Sequence, residues 1–341
     1  MIGTHLSREA AEETGQDSLE ALGSRLSERL QVEVLMPDEC VGDAVVRVIH
    51  DLRQGQVCLL PDLSSVRGEA SNDEAFARAL SGYVDAYVGD AFSASHLEYA
   101  SLVRLPRLAP RRALGYRARR ELMVLSRLLA LPRRALALAV GGRLFSEKVD
   151  LLDAWLPRLE QVCVGGGMAL TLLAALGKIP AEASAEPDRL AQARSFVKKA
   201  RDLGVEVLLP VDFRVQFGVE RHSEIVRPER VPAEARIVDI GPESVERFAT
   251  ALGTAEHLLW WGPFGNLQNA LGRAASQRLA ELCASPDIAS VVLGSDTRRF
   301  VRQLPPEIEA GIELVCSGSA AAKTLLSQRR LPAIEALRVR Q

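Results

Sequence analysis

Apolar and polar positions along this chain alternate between two periods, and the switches between them lay out its elements. Gln161–Leu176, QVCVGGGMALTLLAAL, holds one such switch. Val162–Val164 is a short apolar run, Gly165–Gly167 has no side chains, and Met168–Leu176 continues in small and aliphatic helix formers. The pattern predicts a strand, a glycine turn and a buried helix. Earlier, Leu19, Leu22, Leu26 and Leu30 form a helical stripe over Ser18–Leu30, with Asp17 or Ser18 as its cap. Met1–Thr4 reads as the end of a strand. Val32–Leu35, Gln56–Leu60 and Ala86–Val88 read as strands, with helices over Val41–Leu52 and from Ser71 through Tyr83 between them. Tyr116–Leu131 predicts a helix stopped by Pro132.

A second alternation follows. Ala135–Val140 predicts a strand, Gly141-Gly142 a turn and Ser146–Leu156 a helix. After the glycine unit come a helix over Pro187–Leu203 and a strand over Val205–Leu209. Ile237–Ile240, Leu258–Trp261, Ser290–Leu293 and Glu313–Cys316 read as further strands. Each runs into a turn that contains glycine, which predicts one parallel sheet with its turns gathered on one edge. Open α/β sheets bind ligands at that edge. Gly218–Glu234 reads as an irregular loop.

Composition narrows the class. The chain has 341 residues, more than one ordinary core and suited to two domains. Hydrophobic residues make up 48% and aromatics 5%, so the core is aliphatic, as in helices packed on a buried parallel sheet. A formal net charge of −2 gives no bias toward nucleic acid or membrane. No apolar run spans a bilayer, and the first residues lack the apolar stretch of a secretory signal. Five scattered cysteines, never spaced C-x-x-C, read as buried thiols in a reducing cytoplasm. Residues 99–146 hold eleven arginines and one acid, Glu121. That stretch is either a basic surface for phosphate groups or a solvated helix face.

The glycine turn also has two readings. Backbone N–H groups at a helix N-terminus approach phosphate closely when glycine leaves room. Glycine equally permits close packing of helix on sheet with no ligand. The dinucleotide fingerprint is absent, because Leu170 stands where its third glycine belongs.

Taken in order, several motifs resemble phosphoglycerate kinase. They are His5-Leu6-Ser7-Arg8, Asp90-Ala91-Phe92, Gly141-Gly142 with Lys148, and Gly165-Gly166-Gly167-Met168-Ala169. Leu209-Pro210-Val211-Asp212, Asp239-Ile240-Gly241-Pro242, Gly262-Pro263 and Asp296-Thr297 follow. The resemblance implies an α/β fold of two Rossmann-like parallel-sheet lobes joined by a hinge helix. Residues 1–115 would form the N-terminal lobe, 116–134 the hinge, 135–322 the nucleotide lobe, and 323–341 a segment returning to the hinge and first lobe. The implied reaction moves a phosphoryl group between 1,3-bisphosphoglycerate and ADP, with magnesium as cofactor on ATP or ADP. Lys148 and Arg143 would be catalytic. His5, Arg8 and His96 would hold 3-phosphoglycerate. Gly141, Gly142, Gly165, Gly166, Gly167, Pro263, Gln268, Gly294, Asp296, Thr297 and Gly318 would hold the nucleotide, with Asp296 on the metal side. The implied protein is a cytoplasmic monomer whose partners are a small-molecule substrate and a nucleotide, with no nucleic acid and no membrane.

The departures from the family pattern bear on activity. The family's opening R-V-D-F-N strand and its arginine have no counterpart here. Either the sequence starts downstream of the true start or the first lobe lacks this unit. Ser64 stands in place of one substrate arginine, with Arg67 nearby, and Leu97 in place of another. Leu144 stands where a lysine should steady the transferring phosphoryl, with Arg143 beside it. Trp261 replaces an asparagine, Gln268 a ribose-contacting glutamate, and Ser317–Ala322 a glycine-rich phosphate loop. Each lost charge-assisted bond is worth about 1.5–3 kcal/mol, so together they cost several tenfold steps in rate. The sequence therefore predicts a phosphotransferase with weak or lost activity, or a non-catalytic paralogue that binds or regulates. Plainer roles exist for three residues: Lys148 as an exposed helix lysine, His96 as a satisfied core histidine and Asp296 as a helix cap.

Overall fold

The computed structural model describes residues 1–5, 18–218, 222–232 and 234–338. They form two compact units, Met1–Arg120 with Arg330–Gln341, and Glu121–Arg329.

The first unit contains β1 (Ile2–Thr4), α1 (Leu19–Leu30), β2 (Val34–Leu35), α2 (Asp43–Asp51), β3 (Val57–Asp62) and α3 (Glu74–Ser81), then β4 (Tyr87–Gly89) and β5 (Arg112–Leu114). Ser18 caps α1, its hydroxyl accepting the Ala21 N–H at 3.2 Å. β3 lies between β1 and β2, parallel to both, with Ile2 opposite Leu59 and Val34 opposite Val57. β4 and β5 pair in parallel as a separate two-stranded sheet. The alternation predicts one sheet here. The described residues form two, because no described strand pairs with both β1 and β4. Val45, Cys58, Leu60 and Leu80 fill the core beneath β3. The helix Pro332–Leu337 also belongs to this unit. Its Ala333 and Ala336 pack on Leu102 and Val103, and the Ala333 N–H donates to the Ser95 carbonyl at 3.2 Å.

The helix α4 (Tyr116–Ala130) contains the boundary between the units. Asp90, from the second motif, serves its first turn: the carboxylate accepts the Ala118 N–H at 2.8 Å.

The second unit holds β6 (Leu136–Val140), α5 (Val149–Trp155), β7 (Leu159–Val164), α6 (Gly166–Ala175), α7 (Leu190–Asp202) and β8 (Glu206–Leu208). After β9 (Phe213–Gln216), β10 (Ser223–Val226) and β11 (Arg236–Ile240) come α8 (Pro242–Leu252), β12 (His257–Trp261), α9 (Ala274–Cys283), β13 (Ala289–Leu293), α10 (Ser295–Val301), β14 (Leu314–Val315) and α11 (Ser319–Leu326). Six strands make one parallel sheet in the order β14-β13-β12-β6-β7-β8. Every residue of β6 is buried, as expected for a strand covered on both faces. α6 begins at Gly166, inside the glycine run and two residues before the expected start.

Two expectations fail in this unit. The strand over Ile237–Ile240 does not join the parallel sheet. It pairs antiparallel with β9, Ile240 opposite Phe213, in a three-stranded sheet ordered β10-β9-β11. The expected loop 218–234 contains β10, which completes that sheet with Val226 opposite Phe213. An apolar run marks a strand without naming its partner. β10 gives no such run, since Glu224 and Ile225 are both exposed.

Candidate functional site

A cleft of about 800 Å³ opens in the second unit. Gly142, Gly166 and Gly167 line it at the carboxyl ends of β6 and β7, and Arg236 to Ile240 of β11 line another wall.

The glycine corner is a tight packing joint. An added Cβ at Gly165 would lie 2.3 Å from the Phe264 ring, and at Gly167 2.4 Å from the Arg143 carbonyl. Gly166 has φ +62°, and a Cβ there would meet the Gly142 carbonyl at 2.6 Å. The Gly166 N–H donates to the Phe264 carbonyl at 2.8 Å, and the Gly142 N–H to the Pro263 carbonyl at 2.8 Å. A Cβ on Gly141 would strike Pro263 in turn. Close packing therefore accounts for these glycines, while Gly142, Gly166, Gly167 and Pro263 also face the cleft.

Lys148 sits behind this corner, buried rather than exposed on a helix. Its ammonium donates to the carbonyls of Gly141 and of Trp261, the latter at 3.1 Å, and stands 4.8 Å from the Trp261 ring centre. Burial pushes its pKa down to about 8, with the charge of Glu147 opposing and that of Lys323 assisting. Leu144 is only partly buried, whereas the exposed Arg143 lines the cleft.

The opposite wall carries a buried carboxylate. Asp239 is 1% exposed and accepts the N–H groups of Ile240 at 2.9 Å and Ala275 at 3.1 Å, capping α9. Burial pushes its pKa up to about 6, against the lowering effect of those bonds and of Arg214. Asp212, of the Leu209–Asp212 motif, has a similar duty: it accepts the Ser244 N–H at 2.8 Å and the Glu243 N–H at 3.1 Å at the start of α8.

Asp296 lies in the first turn of α10, exposed in the cleft and 3.7 Å from Arg299. It makes no capping bond, so the plain cap role does not describe it. Gly294, at φ +112°, donates its N–H to the Ser319 hydroxyl at 3.0 Å. Thr297 is fully buried, and its hydroxyl has no hydrogen-bond partner among the described residues. Gly318 is the residue before α11, and Gln268 is exposed along the cleft. Among the described residues no group of three His, Cys, Asp or Glu side chains gathers into a metal site. Magnesium usually takes one or two carboxylates and completes its shell with phosphate and water. Asp296 is the one exposed carboxylate among the described residues that line the cleft, Asp239 being buried, and such a donor set fits only an ion that brings most of its own ligands.

In the first unit, His5 Nε2 lies 2.7 Å from Glu69, a fully buried carboxylate that also accepts the Ser101 N–H at 3.0 Å and its hydroxyl at 2.6 Å. His96 is not a satisfied core histidine, since its buried Nδ1 has no hydrogen-bond partner among the described residues. Arg8 lies outside the described residues. Ser64 lies in a short turn capped by Asp62, whose carboxylate accepts the Ser64 N–H at 3.0 Å, and Arg67 lines a shallow hollow with Asp73 and Phe76. Sequence reasoning missed Glu69, Arg236 and Arg273. None of them carries a signal in the sequence: Glu69 sits in the mixed four-residue helix Arg67–Ala70, beside a second charge.

All five cysteines are buried and unbridged, as expected. No described helix is long and apolar enough to cross a membrane.

Two units of parallel strands and helices, one with a glycine-lined cleft at its strand ends, put this chain among the α/β proteins of Rossmann-like type. The sequence profile described as phosphoglycerate kinase matches residues 1–329. The phosphoglycerate kinase of Syntrophobacter fumaroxidans is 32% identical over 339 residues, 99% of this chain and 85% of that protein. That of Thermosynechococcus vestitus is 34% identical over 325 residues, 94% of this chain and 80% of its own length. The solved phosphoglycerate kinase of Coxiella burnetii superposes with a TM-score of 0.78 at 26% identity, covering 99% of this chain and 83% of that one. The chain belongs to the phosphoglycerate kinase family.

Proposed function

We propose that this family member binds a nucleoside phosphate in the cleft of its second unit and catalyses phosphoryl transfer weakly or not at all. The observation that carries this reading is the state of the glycine corner. The Lys148 ammonium is buried on two backbone carbonyls, and Leu144 stands where the family pattern has the other lysine. Arg143 is the cation left facing the cleft at that corner. Phosphoryl transfer relies on cations poised at the transferring group, with little covalent work by protein. Ser319 adds to this by taking the Gly294 N–H that a phosphate oxygen would otherwise accept from.

In this reading Gly142, Gly166 and Gly167 bring backbone close to the phosphate chain, Gln268 hydrogen-bonds the sugar, and Asp296 meets magnesium carried in by the nucleotide. The metal supplies charge neutralisation on the phosphates. His5, Arg8 and His96 are the side chains proposed for 3-phosphoglycerate, with α4 as the hinge. Arg143 supports the rival reading of a working kinase, because its guanidinium can take over the missing lysine's charge.

A coupled assay with 3-phosphoglycerate and Mg-ATP, run beside calorimetric titration of ATP and ADP, tests the proposal. Binding with turnover far below ordinary kinase rates is expected. Turnover above about 10² s⁻¹, well within the usual enzyme range, would sink the weak-catalyst reading. Absence of nucleotide binding would sink the cleft assignment.

A further inference from the structure

Glu186 is a buried carboxylate, 8% exposed, whose partners among the described residues are backbone N–H groups. It accepts from Phe145, and from Ser146 at 3.2 Å and 3.3 Å to its two oxygens. Such bonds are charge-assisted and about twice as strong as neutral ones. They fall on a stretch that belongs to no helix or strand, between the end of β6 at Val140 and the start of α5 at Val149. The near end of this stretch is tied by the Gly142 N–H, which donates to the Pro263 carbonyl at 2.8 Å. The far end is tied by Glu186. Arg143 and Leu144 lie between the two ties. The Phe145 ring is fully buried, edge-on to Phe196 of α7 at 5.7 Å, while Arg143 is exposed and lines the cleft.

Glu186 is itself fixed to the other half of the glycine corner. Its N–H donates to the Ser184 hydroxyl at 3.0 Å, that hydroxyl to Thr171 Oγ1 at 3.2 Å, and the Thr171 hydroxyl to the Gly167 carbonyl at 3.4 Å. Ser184 and Thr171 are both buried. Each hydroxyl in this relay donates once and accepts once, so its direction is set. Glu186 therefore joins the first turn of α6, through its main chain, to the stretch that carries Arg143, through its side chain. A guanidinium grips phosphate oxygens in a fixed fork, so the backbone that carries it has to be in place beforehand.

We infer that Glu186 is the positioning residue for Arg143: it sets the backbone from which the guanidinium reaches the phosphates of a bound nucleotide. The inference rests on the nucleotide reading of the cleft. Glu186 does not line the cleft, so it acts on a ligand there only through the chain it holds or through its charge. The two effects have opposite signs. A carboxylate near the site repels phosphate, whereas placement of Arg143 favours its binding.

The full chain is titrated by calorimetry with ADP as wild type, Glu186→Asp, Glu186→Gln, Arg143→Gln and the double variant of Glu186→Asp with Arg143→Gln. Glu186→Asp keeps the charge and falls one methylene short of Phe145 and Ser146. Glu186→Gln keeps the reach, with an oxygen for the same N–H groups, and drops the charge. Glu186→Asp is expected to weaken ADP about tenfold, the fold-change of one charge-assisted hydrogen bond. Glu186→Gln should recover most of that loss. On top of Arg143→Gln, Glu186→Asp should cost nothing further, as for two groups that act as one unit. Wild-type affinity in Glu186→Asp overturns the assignment. So does the same loss repeated on top of Arg143→Gln, which would make Glu186 a structural residue acting on the whole cleft. Tighter binding of ADP by Glu186→Gln would show the charge acting in place of the reach, and overturns it too. All three leave the nucleotide reading standing. Absence of ADP binding by wild type overturns that reading together with the role built on it.

Discussion

The Lys148 ammonium stands 3.1 Å from the Trp261 carbonyl oxygen and 4.8 Å from the centre of the same residue's ring. One residue thus holds the charge with both its backbone and its side chain, at the junction of β6 and β12.

That burial has a price in stability that depends on pH. The native pKa is about 8, against 10.5 for a free lysine. Between those values the unfolded chain still binds the proton that the native one has released. Stability therefore rises as pH climbs from about 8 to about 10.5, by about 3 kcal/mol for this group. Denaturant melts of wild type and Lys148→Met across that range should diverge in slope, the variant lacking this rise. Parallel curves would show that the ammonium is not buried as described.

Asp239 gives a slope of its own in the acid range. Its native pKa, about 6, lies above the ordinary 3.8, so the folded chain keeps a proton that the unfolded chain has lost. Its contribution is complete below about pH 4 and falls away as pH rises to about 6, a loss of about 3 kcal/mol. Asp239→Asn should flatten that fall relative to wild type in urea melts. An unchanged profile would place the titration elsewhere.

Gly166→Ala is expected to destabilise the protein by about 2 kcal/mol or more. The left-handed backbone at φ +62° alone costs a residue with a Cβ about 1–2 kcal/mol, and the new carbon also presses on the Gly142 carbonyl. A shift in thermal midpoint below one degree would mean that the corner relaxes freely.

Ser244, in the first turn of α8, offers a test of how that helix is anchored. Its hydroxyl accepts the N–H groups of Val211 at 2.9 Å and Asp212 at 3.1 Å. Ser244→Ala leaves both without that acceptor in a site where the serine is fully buried, which should cost about 3 kcal/mol in chemical denaturation.

Leu144→Lys is the gain-of-function test. The position is partly exposed, so the substitution should fold. Restoring an ammonium at the corner is expected to raise turnover with 3-phosphoglycerate and Mg-ATP about tenfold or more. No gain would assign the deficit to the missing arginines instead.

The sequence was most informative where strands are continuous apolar runs. β6, β12 and β13 were all legible this way, because a doubly covered strand needs no polar face. The glycine turn was legible as a turn, but its purpose was not: only coordinates reveal that Phe264 and Gly142 leave no room for a Cβ. Arg236 was hidden for a related reason. Its strand is legible, but the run suggests a parallel partner where the structure has an antiparallel one, so nothing in the pattern aims its first residue at a cleft. Lys148 stood out through the family motif, while its burial depended on Trp261, far along the chain. Asp239 and Asp212 stand in the sequence only as motif letters, and their work at helix starts is a tertiary fact.

The order of the six-stranded sheet constrains how the second unit can assemble. β6 is its earliest strand in the chain and one of its two central strands in space. One neighbour, β7, follows directly, but the other is β12, with Ala137 opposite Leu258. A nascent chain can close β6, β7 and β8 as local crossovers, yet the second edge of β6 stays unpaired until Trp261 has been made. Closing so long a loop is slow, and an apolar edge left open meanwhile is a template for mispairing. Ala137–Val140 is therefore the stretch of this unit with the longest interval between synthesis and protection.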